Sequence, residues 1–164
     1  TIKRIDASLV GGGGITEADQ WRVTATGTGT GVFTSNWERN DTSFSYIGTG
    51  MSESSGIFTF PSTGIYMIDF QASGKNNAQT DYVSYSIEAT TNNSSYSAIS
   101  TALNACNTGN SFCNLYQSVI FDVTDTTTHK VRFNHDENEA GTFEKSSSTS
   151  KQITGATFIR LGDT

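Results

Sequence analysis

Residues 55–70 read Ser55-Gly56-Ile57-Phe58-Thr59-Phe60-Pro61-Ser62-Thr63-Gly64-Ile65-Tyr66-Met67-Ile68-Asp69-Phe70, and they include the only proline of the chain. The segment consists of two runs of β-branched and aromatic residues, separated by Pro61-Ser62-Thr63-Gly64. Apolar, β-prone runs bounded by proline and glycine are typical of strands that a tight turn connects. The segment therefore predicts a strand, a turn and a second strand.

The rest of the chain repeats this pattern of short β-prone runs and turn residues. It has 164 residues, enough for one domain with a hydrophobic core, and it is rich in Thr, Ser and Asn. No stretch keeps a 3.6-residue apolar period, and residues 97–105 are predicted to be irregular or a strand. We expect an all-β domain of about ten strands over residues 16–164, preceded by an arm or linker over residues 1–15 that contains four consecutive glycines.

The charge balance argues against two classes of partner. The net charge is −6, and Lys and Arg form no cluster that could neutralise nucleic-acid phosphates. No apolar run approaches the roughly 20 residues that a membrane-spanning helix needs. We therefore expect neither nucleic-acid binding nor membrane insertion.

The two cysteines, Cys106 and Cys113, are seven positions apart. A hairpin or loop of this length could be closed by a disulfide, and two free thiols are the alternative. A zinc site is disfavoured because the histidines lack the paired-cysteine spacing of structural zinc ligands.

Binding is favoured over catalysis by the polar residue types of the predicted loops. Nothing in the sequence marks a base, a nucleophile and an orienting group that act together, so we expect no enzymatic activity and no catalytic residues. Amides can bind sugar hydroxyls, and aromatic rings can pack on sugar faces. The candidate ligand-binding residues are Trp37, Asn76, Asn77 and Tyr96.

Two segments carry a resemblance to a known family. Gly56, Phe58, Thr59, Pro61, Gly64 and Tyr66 resemble the central signature of complement C1q and tumour-necrosis-factor-like domains, Gly-x-Phe-Thr-x-Pro followed by Gly-x-Tyr-x-Phe. Ile68 stands where that signature has an aromatic residue. Residues 152–161, with Thr154-Gly155 before an apolar run, are similar to the last strand of the family.

The resemblance implies a ten-strand jelly-roll sandwich that forms a homotrimer. Its chain ends would lie together at one end of the sandwich, with variable loops at the other. It places Tyr66 and Phe158 at core or threefold-interface positions, and Gly155 at a close approach of two backbones or at that interface. Some members of the family hold calcium near the trimer axis, and the hard oxygen ligands of Asp136, Glu137 and Glu139 make these residues weak calcium candidates; we otherwise expect no cofactor.

Three functions remain open at this stage. The first is a trimeric tip of a phage or bacterial surface fibre that binds a glycan or protein of the host cell, since C1q-like domains occur in such fibres and the chain is rich in Thr, Ser, Asn and Gly. The second is a capsid decoration or fibre protein, held to other virion proteins by its N-terminal arm. The third is a secreted C1q- or tumour-necrosis-factor-like signalling ligand. All three place the protein at a virion or extracellular surface.

Overall fold

Buried and exposed residues alternate along much of the chain, as expected for the antiparallel strands that it forms. The computed structural model describes residues 14–40, 46–76, 80–106, 111–137, 143–145 and 147–164. In these ranges the secondary structure is all strand and loop, without a helix. The strands are β1 (Ala18–Val23), β2 (Gly27–Thr28), β3 (Gly31–Val32), β4 (Trp37–Arg39), β5 (Ser52–Ser54), β6 (Ile57–Thr59), β7 (Gly64–Asn76), β8 (Thr80–Thr90), β9 (Ser97–Cys106), β10 (Ser111–Val123), β11 (Lys130–Glu137), β12 (Phe143–Lys145) and β13 (Gly155–Gly162).

The thirteen described strands form two antiparallel sheets, one of seven strands and one of six. Sheet A has the order β10-β7-β13-β1-β4. On the side of β7 that β13 occupies, the short strand β12 pairs with residues 74–76 of β7, and β2 pairs with β12. Sheet B has the order β5-β6-β11-β8-β9, with β3 paired to β11. This confirms the predicted jelly-roll sandwich, including a strand at residues 97–106, which the sequence left undecided.

The core lies between the two sheets and is dominated by aromatic rings. Tyr66, Ile68 and Phe70 alternate along β7 and are buried. The ring of Phe70 stacks on that of Phe133 in β11, with centroids 4.4 Å apart. Because these residues belong to opposite sheets, burial of their apolar surface holds the two layers together.

The segment 55–70 forms its two predicted strands, which belong to different sheets. Strand β6 pairs with β5 and β11 in sheet B, whereas β7 pairs with β10 and β13 in sheet A. The turn at residues 61–63 therefore crosses between layers. The Tyr66 hydroxyl donates to the carbonyl oxygen of Ser62 (3.1 Å), and burial raises the pKa of Tyr66.

The sandwich has two distinct ends, here called the base and the apex. At the base, Ala18 of β1 pairs with Ile159 of β13, and the Arg160 amide donates to the Glu17 carbonyl. The start of β1 and the end of β13 thus leave from the same end, as the resemblance implied. At the apex, the opposite end, lie the last residues of β7, β9 and β11.

Candidate self-association face

Strand β10 carries large apolar side chains on both faces, although only one face meets the core. Its inward residues include the buried Cys113, Gln117 and Val123. Its outward residues include Phe112, Tyr116 and Ile120, which are 66%, 64% and 65% exposed. A strand with one solvated face normally carries polar residues there. Three large exposed hydrophobic side chains on one face of a strand mark a surface that another surface can cover.

The strand register extends this apolar surface across sheet A. Ile120 pairs with Met67, Met67 pairs with Ile159, and Ile159 pairs with Ala18. Directly paired residues of a sheet point to the same face. These four side chains therefore form one row across β10, β7, β13 and β1, which we call the apolar row of the outer face.

The next row towards the apex is polar and contains one carboxylate. It consists of Ser118, Asp69, Thr157 and Gln20. Gln20 Nε2 donates to Thr157 Oγ1 at 3.2 Å. A side-chain hydrogen bond to Asp69 raises the pKa of Tyr116, which lies one row further on. We call Ser118, Asp69, Thr157 and Gln20 the polar row.

The carboxylate of Asp69 is only partly satisfied. Its Oδ1 atom is shielded from solvent and accepts no hydrogen bond from the part of the chain that the structure describes. Beside the outer face, a shallow groove of about 350 Å³ lies between β7 and β10 and is lined by Gln71, Tyr116 and Ile153, among others. The face thus combines exposed apolar side chains with a buried, incompletely bonded acceptor.

Comparison with solved structures identifies the fold. Eiger TNF from S. frugiperda has a TM-score of 0.67 at 8% sequence identity, covering 90% of this chain and 93% of that chain. Murine APRIL at pH 5.0 has a TM-score of 0.66 at 12% identity, covering 88% of this chain and 98% of that chain, and murine APRIL at pH 8.5 has a TM-score of 0.65 at 13% identity with the same coverage. The chain has the TNF-like jelly-roll fold. No protein-family model and no curated protein matches the sequence.

The TNF-like jelly roll confirms the resemblance that residues 56–66 and 152–161 indicated. With identities of 8–13%, the likeness shows the fold, and the partner of this chain is a separate question. In the described ranges no helix is long and apolar enough to cross a bilayer.

Of the two positions that the resemblance left open, core or interface between copies, the structure places Tyr66 and Phe158 in the core. Tyr66 and Phe158 are each 1% exposed and belong to the core of this TNF-like jelly roll. Gly155 is also buried, and a Cβ added there would lie 2.3 Å from the Trp21 carbonyl oxygen. The close backbone approach expected at Gly155 is therefore real, but it occurs within one copy of the chain.

Trp37 was predicted to be a ligand-binding residue, and the structure places its side chain against the core. Its half-buried ring lies 5.0 Å from the ring of Phe58 and 5.5 Å from that of Phe133, measured between centroids. The indole Nε1 donates to the Phe33 carbonyl oxygen at 2.8 Å. Trp37 thus closes one edge of the core, because its ring and its only donor are both engaged.

Of the other ligand candidates, the structure describes the side chain of Tyr96. The Tyr96 ring lies under the Arg132 guanidinium at 4.1 Å, and Arg132 Nε is paired with Glu88 Oε2 at 2.6 Å. Burial raises the pKa of Tyr96. The backbone of Asn76 ends β7, its side chain is not among those described, and Asn77 lies outside the described residues.

The two calcium candidates that the structure describes are not brought together. Asp136 and Glu137 are successive residues of β11, so their side chains point to opposite faces of sheet B, and only Glu137 is buried. Glu139 lies outside the described residues. Within the part of the chain that the structure describes, no three His, Cys, Asp or Glu residues could hold a metal ion together.

Cys113 is buried and is disulfide-bonded. The side chain of Cys106 is not among those described, so the Cys106–Cys113 pairing stays a prediction. The outer face of sheet A was missed at the sequence level. Its signal was present in residues 112–121, where large apolar residues occupy both even and odd positions of one strand.

Proposed function

We propose that this chain is a homotrimeric, non-catalytic binding module that assembles through the outer face of sheet A. The exposed side chains of Phe112, Tyr116 and Ile120 along β10 are the observation that carries the proposal. Burying a large apolar side chain contributes about 1.5–3 kcal/mol, so covering these side chains in three copies is a substantial driving force. The number of copies follows from the resemblance to C1q- and TNF-like domains.

The position of these side chains on β10 favours a closed ring. Strand β10 is the edge of sheet A, so Tyr116 and Ile120 lie at the margin of the outer face, whereas Met67 and Ile159 lie nearer its centre. A copy that sets its margin against the centre of a neighbour makes a heterologous contact. Such contacts form a ring when the rotation between copies closes.

The assembly is tested by light scattering coupled to size exclusion on the wild type and on Ile120→Lys. We expect a wild-type mass of three times 17.6 kDa. Ile120→Lys should give a folded monomer, because a lysine is solvated on the free face but costly to bury. The matched control is Leu103→Lys, since Leu103 is equally exposed (64%) but lies in β9 of sheet B. A wild-type monomer at tens of micromolar, or a trimeric Ile120→Lys, would overturn the proposal.

The trimer would present three copies of its apex to a glycan or protein on a cell surface. The low charge and the abundance of Thr, Ser and Asn favour a virion or fibre surface as its location. Weak sites presented together bind far more tightly than one site alone, by about 10²-fold or more. We expect the wild type to bind host cells or a glycan array at concentrations where Ile120→Lys does not. Equal binding by both proteins would speak against a trimeric tip.

A secreted signalling ligand is the second candidate, and the likeness to the structures of Eiger TNF and murine APRIL favours it. The two candidate functions, fibre tip and signalling ligand, differ in the partner that the protein should bind. A fibre tip should bind whole cells or their glycans, whereas a signalling ligand should bind the purified ectodomain of one membrane receptor and should be insensitive to removal of glycans.

A further inference from the structure

Asp69 lies where the proposed assembly would remove water from a carboxylate. It occupies the polar row, one row from Met67 and Ile120, in the central part of the outer face. Its Oδ1 atom is already shielded from solvent without a hydrogen-bond donor among the described residues. The accessible partner is Tyr116, itself 64% exposed and part of the surface to be covered.

Covering this face changes the balance between the two protonation states of Asp69. A buried carboxylate without sufficient donors or an opposite charge is strongly disfavoured, whereas the neutral acid can be buried at much lower cost. The neutral form also supplies an O–H donor that the charged form lacks.

We infer that Asp69 makes self-association proton-linked, so that the chain assembles more tightly as the pH falls. This inference rests on the assembly proposed above and adds its regulation. Each copy takes up a proton at Asp69 when the outer face is covered. Assembly is therefore strengthened below the pH at which the covered carboxyl titrates and weakened above it.

No positive charge faces Asp69 closely in the described part of the chain. On β10 the titratable neighbours are Tyr116 and, two rows towards the base, Asp122. On β13 its paired residue is Thr157, and on β1 the nearest cation is Arg22, which is bonded to Glu38 and Asn40. Lys75 lies three rows away on β7.

The two histidines do not lie on this face either. His129 is 8% exposed and His135 is fully buried, and both contact interior groups. Asp69 is therefore the ionisable member of the polar row, and covering the outer face changes its surroundings.

The test compares the wild type with Asp69→Asn and Asp136→Asn by sedimentation velocity at pH 5.5 and 7.5 and constant ionic strength. Asp136→Asn removes the same charge from an exposed position on sheet B and is the matched control. For the wild type and Asp136→Asn, the concentration of half-assembly should fall about tenfold or more from pH 7.5 to 5.5. Asp69→Asn should assemble more tightly than the wild type at pH 7.5. Its concentration of half-assembly should change by less than about twofold between the two pH values.

If the wild type stays assembled on dilution, the rate at which fluorescently labelled subunits exchange between assemblies is measured instead. This rate should be lower at pH 5.5 than at pH 7.5 in the wild type and independent of pH in Asp69→Asn. A wild-type assembly that does not respond to pH, or a pH response that Asp69→Asn retains, overturns the role of Asp69 and leaves the assembly standing. Monomers for all three proteins at both pH values overturn the assembly itself.

Discussion

Asp19 and Arg39 connect strands β1 and β4 at the edge of sheet A. Arg39 Nε lies 3.0 Å from Asp19 Oδ1, and the Asp19 side chain is 2% exposed. The same carboxylate accepts hydrogen bonds from Trp21 Nε1 (2.9 Å) and from the Met51 amide (2.8 Å). Since Met51 immediately precedes β5 of sheet B, one buried carboxylate organises groups from both layers.

Asp19→Ala should therefore destabilise the fold strongly. It leaves several buried donors without an acceptor and Arg39 without its counter-ion, which should lower the free energy of unfolding by about 3 kcal/mol. Urea unfolding followed by tryptophan fluorescence measures the loss. The control is Asp163→Ala, which breaks an ion pair at a carboxylate that is 93% exposed and should cost less than about 1 kcal/mol. Similar losses in both variants would contradict the role of Asp19.

Gly56 and Gly29 have nearly the same backbone conformation in different surroundings. Their φ angles are +81° and +79°, but a Cβ on Gly56 would lie 2.2 Å from the Phe33 carbonyl oxygen, whereas one on Gly29 would meet nothing within 4 Å. We expect Gly29→Ala to cost about 1 kcal/mol for the left-handed conformation alone. Gly56→Ala should cost about 3 kcal/mol, because the backbone must also move. Chemical unfolding of both variants separates the two effects, and equal costs would show that the close approach is unimportant.

Asp125, which lies in the turn between β10 and β11, should make the free energy of unfolding depend on pH. Hydrogen bonds from the Thr127 hydroxyl and amide lower the pKa of Asp125 below its usual 3.8. Because the folded protein prefers the charged form, this contribution is present above the ordinary pKa and is lost as the pH falls through the lowered one. The stability difference between the wild type and Asp125→Ala should thus be largest near pH 6 and shrink towards pH 2.5 in urea titrations. A difference that does not change with pH would count against this account.

Trp37 and Tyr116 should behave in opposite ways when they are truncated. Trp37→Ala removes a ring that packs on Phe58 and Phe133, so we expect a loss of about 3 kcal/mol. Tyr116→Ala removes an exposed ring and should change monomer stability by less than about 0.5 kcal/mol. Thermal unfolding in an Ile120→Lys background compares the two without a contribution from assembly. A larger loss at Tyr116 would contradict the assignment of Trp37 to the core.

Local patterns in the sequence predict most strands of this protein well. They predict only in part where each residue lies in the folded structure. The alternation in residues 82–88 correctly predicts which side of β8 is buried, with Val83, Tyr85 and Ile87 inward. Strands β4 and β5 have three residues each, too few for a period of two to be recognised.

The site residues were harder to predict because exposure depends on distant parts of the chain. Nothing near Trp37 in the sequence shows that Phe58 and Phe133 will surround its ring. Similarly, the resemblance places Tyr66 and Phe158 at positions that could be core or interface, and only the pairing of β7 with β13 shows that both side chains point inward.

Strand β13, the last described strand along the chain, lies between β7 and β1 in sheet A. Strand β1 pairs with β13 and β4, and has no direct contact with β7 in the strand order. During synthesis on a ribosome, strands β1 and β7 therefore emerge well before the strand that joins them. Sheet A cannot close until residues 155–162 leave the exit tunnel, so the apolar interior stays open to chaperones and to other nascent chains until translation has passed this point.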